Sequence, residues 1–457
     1  MNLLFKNKFN NKTFPCQNCA KVLSFFLLLF SLPSLNRAQQ PIFKPLQISK
    51  DGEVTSLPDS LGNRIPDFSY AGYMAGEQAI PDVPVKVVVS VREGDATAAI
   101  QSAINYVASL SADTHGFRGA VLLERGIHKV YGGLTIGASG IVLRGCGQGE
   151  NGTVLFGAGN DRQTLIRVLG ADDRKKDAPI EITDGYVPVG AFSFSVENGK
   201  NFQVGDQVLV HRPATQEWID LLGMAEFGGE TGWIGWKPGD QDIRWDRTIV
   251  SVEGTRVTVD APITTALDKQ MGGGKLVRYQ WGGRINQVGI ENMTLRSAYD
   301  LENQKDEDHR WMAITMENLC DAWVRQVTFE HFAGSAVAVY ESARRVTVED
   351  CRSLNPFSEV GGQRRNSFLV SGTQTLVQRC YAEFGYHDFA VGACAAGPIA
   401  FVQCESHLPF NYSGTIDNWA SGVLFDVVNV DGHALGFPNR GPEGRGAGWT
   451  GANSMLW

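Results

Sequence analysis

The sequence of 457 residues lacks the features that mark nucleic-acid-binding, linker-divided and membrane-spanning chains. Its basic residues form no dense stripe, which argues against a nucleic-acid partner. No proline- and serine-rich linker or low-complexity segment divides the chain, so we expect one continuous architecture. Its main apolar run, residues 22–32, is too short to span a bilayer comfortably. What remains is an acidic chain with a formal net charge of −8.

The N-terminal segment has the pattern of an export signal. Four lysines precede or begin the apolar run, and Ala38 offers a small residue for cleavage before Gln39. A basic lead, a short apolar core and a small residue are typical of a cleaved signal peptide. We therefore predict a signal peptide over residues 1–38, a secreted or periplasmic protein, and no membrane association after cleavage. Residues 39–457 carry 36 basic and 49 acidic residues, a net charge of −13.

Four short runs in the C-terminal half repeat one theme, in which apolar residues alternate with polar ones and the run ends on Phe or Cys. Their last residues lie 19, 29 and 24 residues apart. These residues are Phe332, Cys351, Cys380 and Cys404. A strand-forming repeat of this length is one turn of a solenoid, which buries its apolar face only by stacking on its neighbours. The repeat predicts an all-β, single-stranded parallel β-helix, whose outer groove suits an extended polymer.

Six cysteines remain after removal of the signal peptide, which itself contains Cys16 and Cys19. The six are Cys146, Cys320, Cys351, Cys380, Cys394 and Cys404. Export permits disulfides. Most of these residues nevertheless end apolar strand runs, where a free cysteine acts as a small buried hydrophobe. We predict a mostly unpaired set that stacks in the interior.

Three regions flank or interrupt the predicted β-helix domain, residues 91–457. Residues 39–90 form an irregular lead-in. An amphipathic helix follows Asp95, which is a good N-cap, and we expect it to cap the open end of the β-helix. Residues from about 160 to 280 break the repeat and predict a small antiparallel, β-rich insertion. The chain ends on apolar Trp457 without a polar cap, so we expect a truncated C-terminus.

Two segments resemble the pectate lyase superfamily. The first, Gly94–Thr97 with Ala99–Ile104, is similar to the motif that opens a right-handed parallel β-helix in that superfamily. The second, from His387 to Asn453, resembles exported β-helix proteins of polysaccharide-degrading bacteria. The resemblance covers roughly residues 60–457. It implies a right-handed parallel β-helix and a carbohydrate-active enzyme, most often a lyase on uronate-containing polymers.

The departures from that superfamily leave the reaction open. The "WIDH" and "RxxP" elements of pectate lyases are absent, and so are the paired "DD" and the "RIK" of β-helix polygalacturonases. Asn429–His433 only faintly resembles the "NTD" and "GHG" signatures of those hydrolases. The resemblance therefore assigns no catalytic residue, because a fold does not fix chemistry.

Three segments that align without gaps place the candidate catalytic residues. They are Gly334–Val339, Arg365–Val370 and Tyr386–Val391. Equivalent positions of successive rungs stack about 4.8 Å apart, so His387 stacks on Asn366. We expect His387 to face outward beside Asn366, and Asp388 to point inward or to lie in the bend.

β-Elimination from a uronate needs a neutralised carboxylate, a base for the C5 proton and an acid for the leaving oxygen. The predicted catalytic residues are His387, Arg365, Tyr386 and Asp388. Ca²⁺ is a possible cofactor, since a carboxylate-bound Ca²⁺ can replace an arginine in the first task. No metal ligand is assigned, and the acidic run Asp306–Asp308 is interpreted as a solvated loop.

Several further side chains are candidates for substrate binding. They are Arg440, Arg445, Trp419, Asn366, His407, Trp233 and Trp236. Trp233 and Trp236 belong to a group of four tryptophans within 28 residues, whose glycine and charged neighbours predict partial exposure. An exposed tryptophan face is a good surface for stacking against a sugar ring.

Two alternatives to a lyase stay open. A hydrolase would pair Asp388 with Asp417 or Asp426, since that chemistry needs two carboxylates about 5–10 Å apart. A non-catalytic glycan-binding or adhesion solenoid would need only affinity. All three functions predict a polysaccharide partner, for which an acidic polymer is favoured, and a monomeric protein.

Overall fold

The computed structural model of the protein describes residues 45–457, with the exception of Glu53. The predicted signal peptide, with Cys16 and Cys19, and the first residues of the lead-in lie outside the described residues. Within the described part of the chain, no helix is both long and apolar enough to cross a membrane.

Three parallel ladders of strands wind around one apolar core and form a parallel β-helix. The first ladder contains Val85–Val89, Gly119–Leu123, Ile141–Arg144, Arg344–Glu349, Leu376–Gln378, Ala396–Val402, Ala420–Asp426, Gly451–Ala452 and Met455–Leu456. The second contains Gly126–Val130, Thr153–Gly157, Arg352–Leu354, Tyr381–Glu383, Glu405–His407 and Asn429–Asp431. Two long strands, Ile285–Ser297 and Leu319–Glu330, contribute to both ladders.

The third ladder is a sheet of its own. Its strands are Leu134–Ile136, Ile166–Leu169, Ile314–Glu317, Val337–Val339, Phe368–Val370, Phe389–Val391, Ser413–Thr415 and Leu435–Gly436. Val339 pairs with Val370 and Val370 with Val391. The gap-free alignment and the expected right-handed parallel β-helix are confirmed.

The apolar repeat fills the interior of the first two ladders. Val348, Val377, Phe401 and Phe425 occupy one register position, and all four are buried. Cys351, Cys380 and Cys404, here called the cysteine stack, form a second buried column. All six cysteines of the described chain are free, as predicted.

The first repeat of the sequence alignment is wrong by five residues. Thr328 pairs with Arg352, so Val327 and not Phe332 stands above Cys351. The first interval is therefore 24 residues rather than 19. The strand that carries Val327 ends at Glu330, and Phe332 lies in the bend that follows it.

A helix closes the N-terminal end of the core, as expected. It spans Thr97–Ser109 and buries Ile100, Ile104 and Val107. It begins two residues after the predicted N-cap, but the Asp95 carboxylate still accepts the backbone N–H of Thr97 at 2.9 Å. One further described α-helix is the short Gln216–Leu222. At Glu443–Gly446 the chain makes a tight turn, in which Gly444 and Arg445 have positive φ. Short 3₁₀ segments occur at Phe68–Tyr70, Gly199–Asn201, Gly229–Ile234 and Lys269–Met271. Tyr73–Gly76 is a tight turn in which Met74 and Ala75 have positive φ.

The lead-in is ordered and contacts both the insertion and the first ladder. Its described part starts with a hairpin of Leu46–Ile48 and Val54–Ser56, and Asn63 then accepts the Val189 N–H of the insertion. Residues 70–74 form a strap across the outer face of the first ladder, and the end of the lead-in, Val85–Val89, is itself a strand of that ladder. Further on, Gly72 donates its N–H to the Gln374 carbonyl, and the Tyr73 ring packs edge-on against Trp323 at 5.2 Å between ring centroids. Trp323 is completely buried by this cover. The outer groove is therefore not the continuous open surface that the repeat predicted, because the chain itself fills part of it.

The insertion is an antiparallel, β-rich element that docks on the β-helix through buried charges. Its strands are Lys175–Lys176, Ile180–Glu181, Tyr186–Val187, Ser193–Ser195, Gln207–Arg212, Ile243–Glu253, Arg256–Val259, Leu267–Asp268 and Lys275–Gln280. Asp246 of the insertion pairs with Arg284 at 2.8 Å and with Arg344 of the first ladder at 3.3 Å. Removing one partner would leave an uncompensated buried charge, so these pairs hold the insertion in place.

Candidate functional site

A cleft of about 560 Å³ lies at the C-terminal part of the β-helix. It forms where successive rungs bend before they enter the third ladder. Tyr386, Tyr412 and His433 each precede one of three stacked strands of that ladder. The segment after the last of these strands supplies the opposite wall, with Arg440 and Glu443. The remaining lining residues are Asn411, Ala434, Gly436, Phe437, Pro438 and Asn439.

Arg440 brings positive charge to the wall of the cleft. Its side chain is 17% exposed, and its Nη1 donates to the Ile416 carbonyl. Its Nε lies 3.9 Å from a carboxylate oxygen of Glu443. Its backbone N–H donates to the Gly448 carbonyl at 2.8 Å, which anchors the segment. The guanidinium is thus held in place but not enclosed, and it can contact an anionic group in the cleft.

His387 lies directly behind the cleft and is only 2% exposed. Its ring packs edge-on between Tyr386 and Tyr412, at centroid distances of 4.5 and 4.9 Å. Its Nδ1 is 2.7 Å from the Tyr412 carbonyl. Because a carbonyl only accepts, Nδ1 carries the proton. The expectation that His387 faces outward is wrong, since the two tyrosines cover it.

Burial sets the ionisation of the groups around His387. It lowers the pKa of His387 to about 4, and Arg440 and His433 act in the same direction. The imidazole is therefore neutral at neutral pH, with Nε2 unprotonated. Burial also raises the pKa of Tyr412 to about 12, and its hydroxyl donates to the Thr415 carbonyl at 2.9 Å.

Asp417 is half-buried, and the positive charge of Arg440 acts on its carboxyl group. Burial raises its pKa, and Arg440 opposes that rise. Asp417 is thus a group that keeps its proton to a higher pH than an exposed aspartate does.

No protein-family model matches the chain, and no curated protein matches it. Solved structures do show similarity. The tailspike protein gp49 of Pseudomonas phage LKA1 is 12% identical, with 76% of this chain and 59% of that chain covered and a TM-score of 0.36. The polygalacturonase of Erwinia carotovora ssp. carotovora is 9% identical, with 83% and 86% covered and a TM-score of 0.36. The Gp54 tailspike of Acinetobacter baumannii bacteriophage AP22, solved with a capsular saccharide, is 10% identical, with 75% and 66% covered and a TM-score of 0.28. This chain thus spans less than two thirds of the first tailspike.

Arg365, a predicted catalytic residue, lies outside the lining of the cleft. Its guanidinium donates to the Ser358 carbonyl, to the Ser358 hydroxyl at 3.1 Å and to the Phe384 carbonyl at 3.5 Å. Burial lowers its pKa. Because its N–H groups bind these oxygen atoms, Arg365 links the loop that contains Ser358 to the rung that contains Phe384.

Asp388 points into the interior, as expected, and is completely buried. Its carboxyl oxygens accept the hydroxyls of Ser367 at 2.6 Å and Ser406 at 2.7 Å. Burial raises its pKa. Because no polymer can reach this position, the geometry contradicts Asp388 as half of a hydrolase pair with Asp417 or Asp426. Asn366, the predicted neighbour of His387, is also buried, with its Oδ1 unpartnered.

The tryptophans divide into a buried cluster and one exposed residue. Trp236 is 3% exposed and packs against Trp218 and Trp419, and its Nε1 donates to the Gly446 carbonyl at 2.9 Å. The half-buried Trp419 belongs to the same cluster. Trp245 is also buried. The predicted partial exposure is therefore wrong for Trp218, Trp236 and Trp245. Trp218 and Trp236 pack against Trp419 of the β-helix. Trp233 alone in this group is open, at 79% exposure.

The other predicted polar residues are scattered. Arg445 is exposed on the segment that carries Arg440. His407 lies on the outer face of the second ladder, 3.1 Å from the Asp431 carboxylate, and outside the cleft lining. In the acidic run, Asp306 is buried and Glu307 pairs with Arg364, so the solvated-loop interpretation is wrong for both. Among residues 45–457, Glu53 excepted, no three His, Cys, Asp or Glu side chains are grouped to hold a metal ion.

Four residues of the cleft lining were not predicted from the sequence, namely Asn411, Tyr412, His433 and Glu443. Tyr412 precedes Ser413–Thr415, a strand too short and too polar to stand out as a repeat. Thr415 pairs with Val391, exactly one rung of 24 residues earlier. Extending the alignment by one such interval would have placed Tyr412 beside Asp388.

Proposed function

We propose that the protein is an exported enzyme that binds an acidic polysaccharide in this cleft and cleaves it by β-elimination at a uronate residue. The observation that carries the proposal is the cleft itself. It brings one arginine, two tyrosines and an exposed histidine together at the end of a stacked, parallel ladder. These are the residue types that the three tasks of β-elimination require.

Arg440 takes the first task, which is to neutralise the uronate carboxylate. Negative charge develops on that carboxylate as the C5 proton leaves, and a fixed guanidinium stabilises it without reorganising. The contacts to the Ile416 and Gly448 carbonyls hold Arg440 for this role. A local cation also explains how a protein whose residues 39–457 carry a net charge of −13 can accept an anionic polymer.

Tyr386 takes the proton transfers, and His433 assists them. Tyr386 is half-buried in the lining, and in its ionised form it accepts the C5 proton and then gives this proton to the leaving oxygen. His433 accepts the Ala434 N–H on Nδ1 at 2.8 Å, so its neutral form carries the proton on Nε2 and can donate a hydrogen bond to the leaving oxygen. His387 supports Tyr386 from behind through the ring contact, which makes it a positioning residue.

A glycoside hydrolase is the second candidate. The raised pKa of Asp417 favours it, because a carboxyl group that keeps its proton can act as a general acid. Glu443, on the wall of the same cleft, would then be the base.

A screen against pectins, alginate, ulvan and arabinogalactan tests the proposal when two signals are read together. A lyase produces the ultraviolet absorbance of an unsaturated uronate along with new reducing ends. Reducing ends without that absorbance would replace the lyase by the hydrolase. Retention on a polymer without either product would leave only a glycan-binding protein. A parallel series with EDTA and with added Ca²⁺ shows whether the reaction depends on that ion.

A further inference from the structure

Trp233 is exposed in a loop whose other tryptophans are buried. The indole is 79% exposed, whereas Trp218 of the preceding short helix and Trp236 are 4% and 3% exposed. The buried pair supplies the packing, so the fold does not need a third tryptophan here. An open indole presents a large flat apolar face with a polar edge, which suits stacking against a sugar ring.

The backbone of the loop that carries Trp233 is anchored close to this residue. Trp233 lies in the 3₁₀ turn Gly229–Ile234, and that turn is anchored a short distance on either side. The Trp236 N–H donates to the Met224 carbonyl at 2.8 Å, and the Trp236 indole N–H donates to the Gly446 carbonyl at 2.9 Å. These bonds keep the loop that carries Trp233 beside Gly446.

The turn that carries Trp233 contacts the wall of the cleft. A methyl group placed on Gly446 would lie 2.3 Å from the Ile234 carbonyl, so these two backbones are pressed together. Gly446 belongs to the same short segment as Glu443, which lines the cleft, and Arg445 is exposed between them. The segment thus runs from the cleft to the turn of Trp233 and carries an exposed cation on the way.

Resting on the proposed function, we propose that Trp233 and Arg445 form an outer subsite for a further sugar residue of the same acidic polysaccharide. Trp233 stacks on the ring, and Arg445 contacts the carboxylate. A polymer that occupies the cleft and crosses the segment of residues 440–446 reaches this subsite, whereas an oligosaccharide that fills the cleft alone does not.

The test compares long and short ligands on three variants. Trp233→Ala and Arg445→Gln remove the two parts of the subsite, and Tyr106→Ala removes an exposed aromatic ring from the capping helix as a control. Affinity is measured by gel electrophoresis in the presence of polymer and by calorimetry with a trisaccharide of the same polymer. We expect Trp233→Ala to weaken polymer binding about tenfold, Arg445→Gln to weaken it less, and trisaccharide binding to stay unchanged in both.

Each outcome separates this subsite from the cleavage reaction. Polymer affinity that is equal in wild type and Trp233→Ala overturns the subsite, even if cleavage is observed. Equal losses for polymer and trisaccharide overturn it as well, because Trp233 would then act on the cleft. A wild-type protein that binds the polymer through Trp233 but does not cleave it keeps the subsite and refutes the lyase. Failure of the wild type to bind any of the polymers refutes both.

Discussion

The buried histidine behind the cleft gives the fold a pH dependence of its own. The pKa of His387 is lowered to about 4 in the folded protein, against about 6.5 in an unfolded chain. Between these values the unfolded state binds more protons than the folded state, so stability rises with pH in this window. The titration of His387 therefore leaves the free energy of unfolding unchanged at neutral pH, and it lowers this free energy as the pH falls below about 6.5.

The size of this effect follows from the two pKa values. From pH 7.5 to pH 5 the histidine should remove about 2 kcal/mol from the free energy of unfolding. His387→Gln removes the titrating group but keeps an N–H for the Tyr412 carbonyl. Asp388 and Asp417, whose pKa values are raised, titrate with the opposite sign, but they are present in both proteins and cancel in the comparison.

Two assays measure the effect. Denaturant unfolding of wild type and His387→Gln at both pH values gives the difference directly. Histidine C2 hydrogen–deuterium exchange, read by mass spectrometry, gives the pKa of His387 in the folded protein without requiring reversible unfolding. A midpoint near 6.5, or the same pH dependence in both proteins, would refute the burial argument and with it the covering of His387 by the two tyrosines.

Three further predictions test the structural roles of residues outside the cleft. Arg365→Ala should lower the free energy of unfolding by about 2–4 kcal/mol, because the carbonyl groups of Ser358 and Phe384 lose the donor that binds them. Chemical denaturation measures this, and a stable but inactive variant would restore Arg365 as a catalytic residue. Asp388→Asn should keep turnover and lose no more than about 1 kcal/mol of stability, since the amide can still form hydrogen bonds with the two serines. Loss of turnover with intact stability would contradict this prediction. The cysteine stack should resist alkylation by iodoacetamide until the protein unfolds, because burial raises the pKa of its Cys380 and Cys404 thiols. Peptide mass spectrometry measures the labelling, and rapid labelling of the native protein would contradict the burial of these cysteines.

The sequence predicts the fold well where its pattern is regular. Val339, Val370 and Val391 share a position because apolar alternation and nearly constant rung length determine the register. The alignment is wrong at Phe332 because a large apolar residue can fill a bend as well as a strand. The strap over Trp323 has no periodicity, so its course depends on contacts with rungs that are distant in sequence, and no local pattern reveals them.

The site was only partly predictable for related reasons. Tyr386, His387 and Arg440 do come together, because the aligned rungs and the glycine-rich segment both point to this end of the β-helix. Arg365 looked equally suitable from its place in the rung. Its side chain turns to backbone carbonyls instead, and sequence does not show whether a guanidinium meets solvent or carbonyl groups.

The role of Arg440 in β-elimination is best measured by comparing Arg440→Gln with wild type on a polyuronate. Arg125→Gln, which removes an exposed arginine far along the chain from the cleft, is the control. We expect Arg440→Gln to lower kcat/KM for formation of the unsaturated product about 100-fold, with little change in unfolding temperature, while Arg125→Gln equals wild type. Cleavage by Arg440→Gln within about twofold of wild type would refute the role of Arg440 in neutralising the uronate carboxylate.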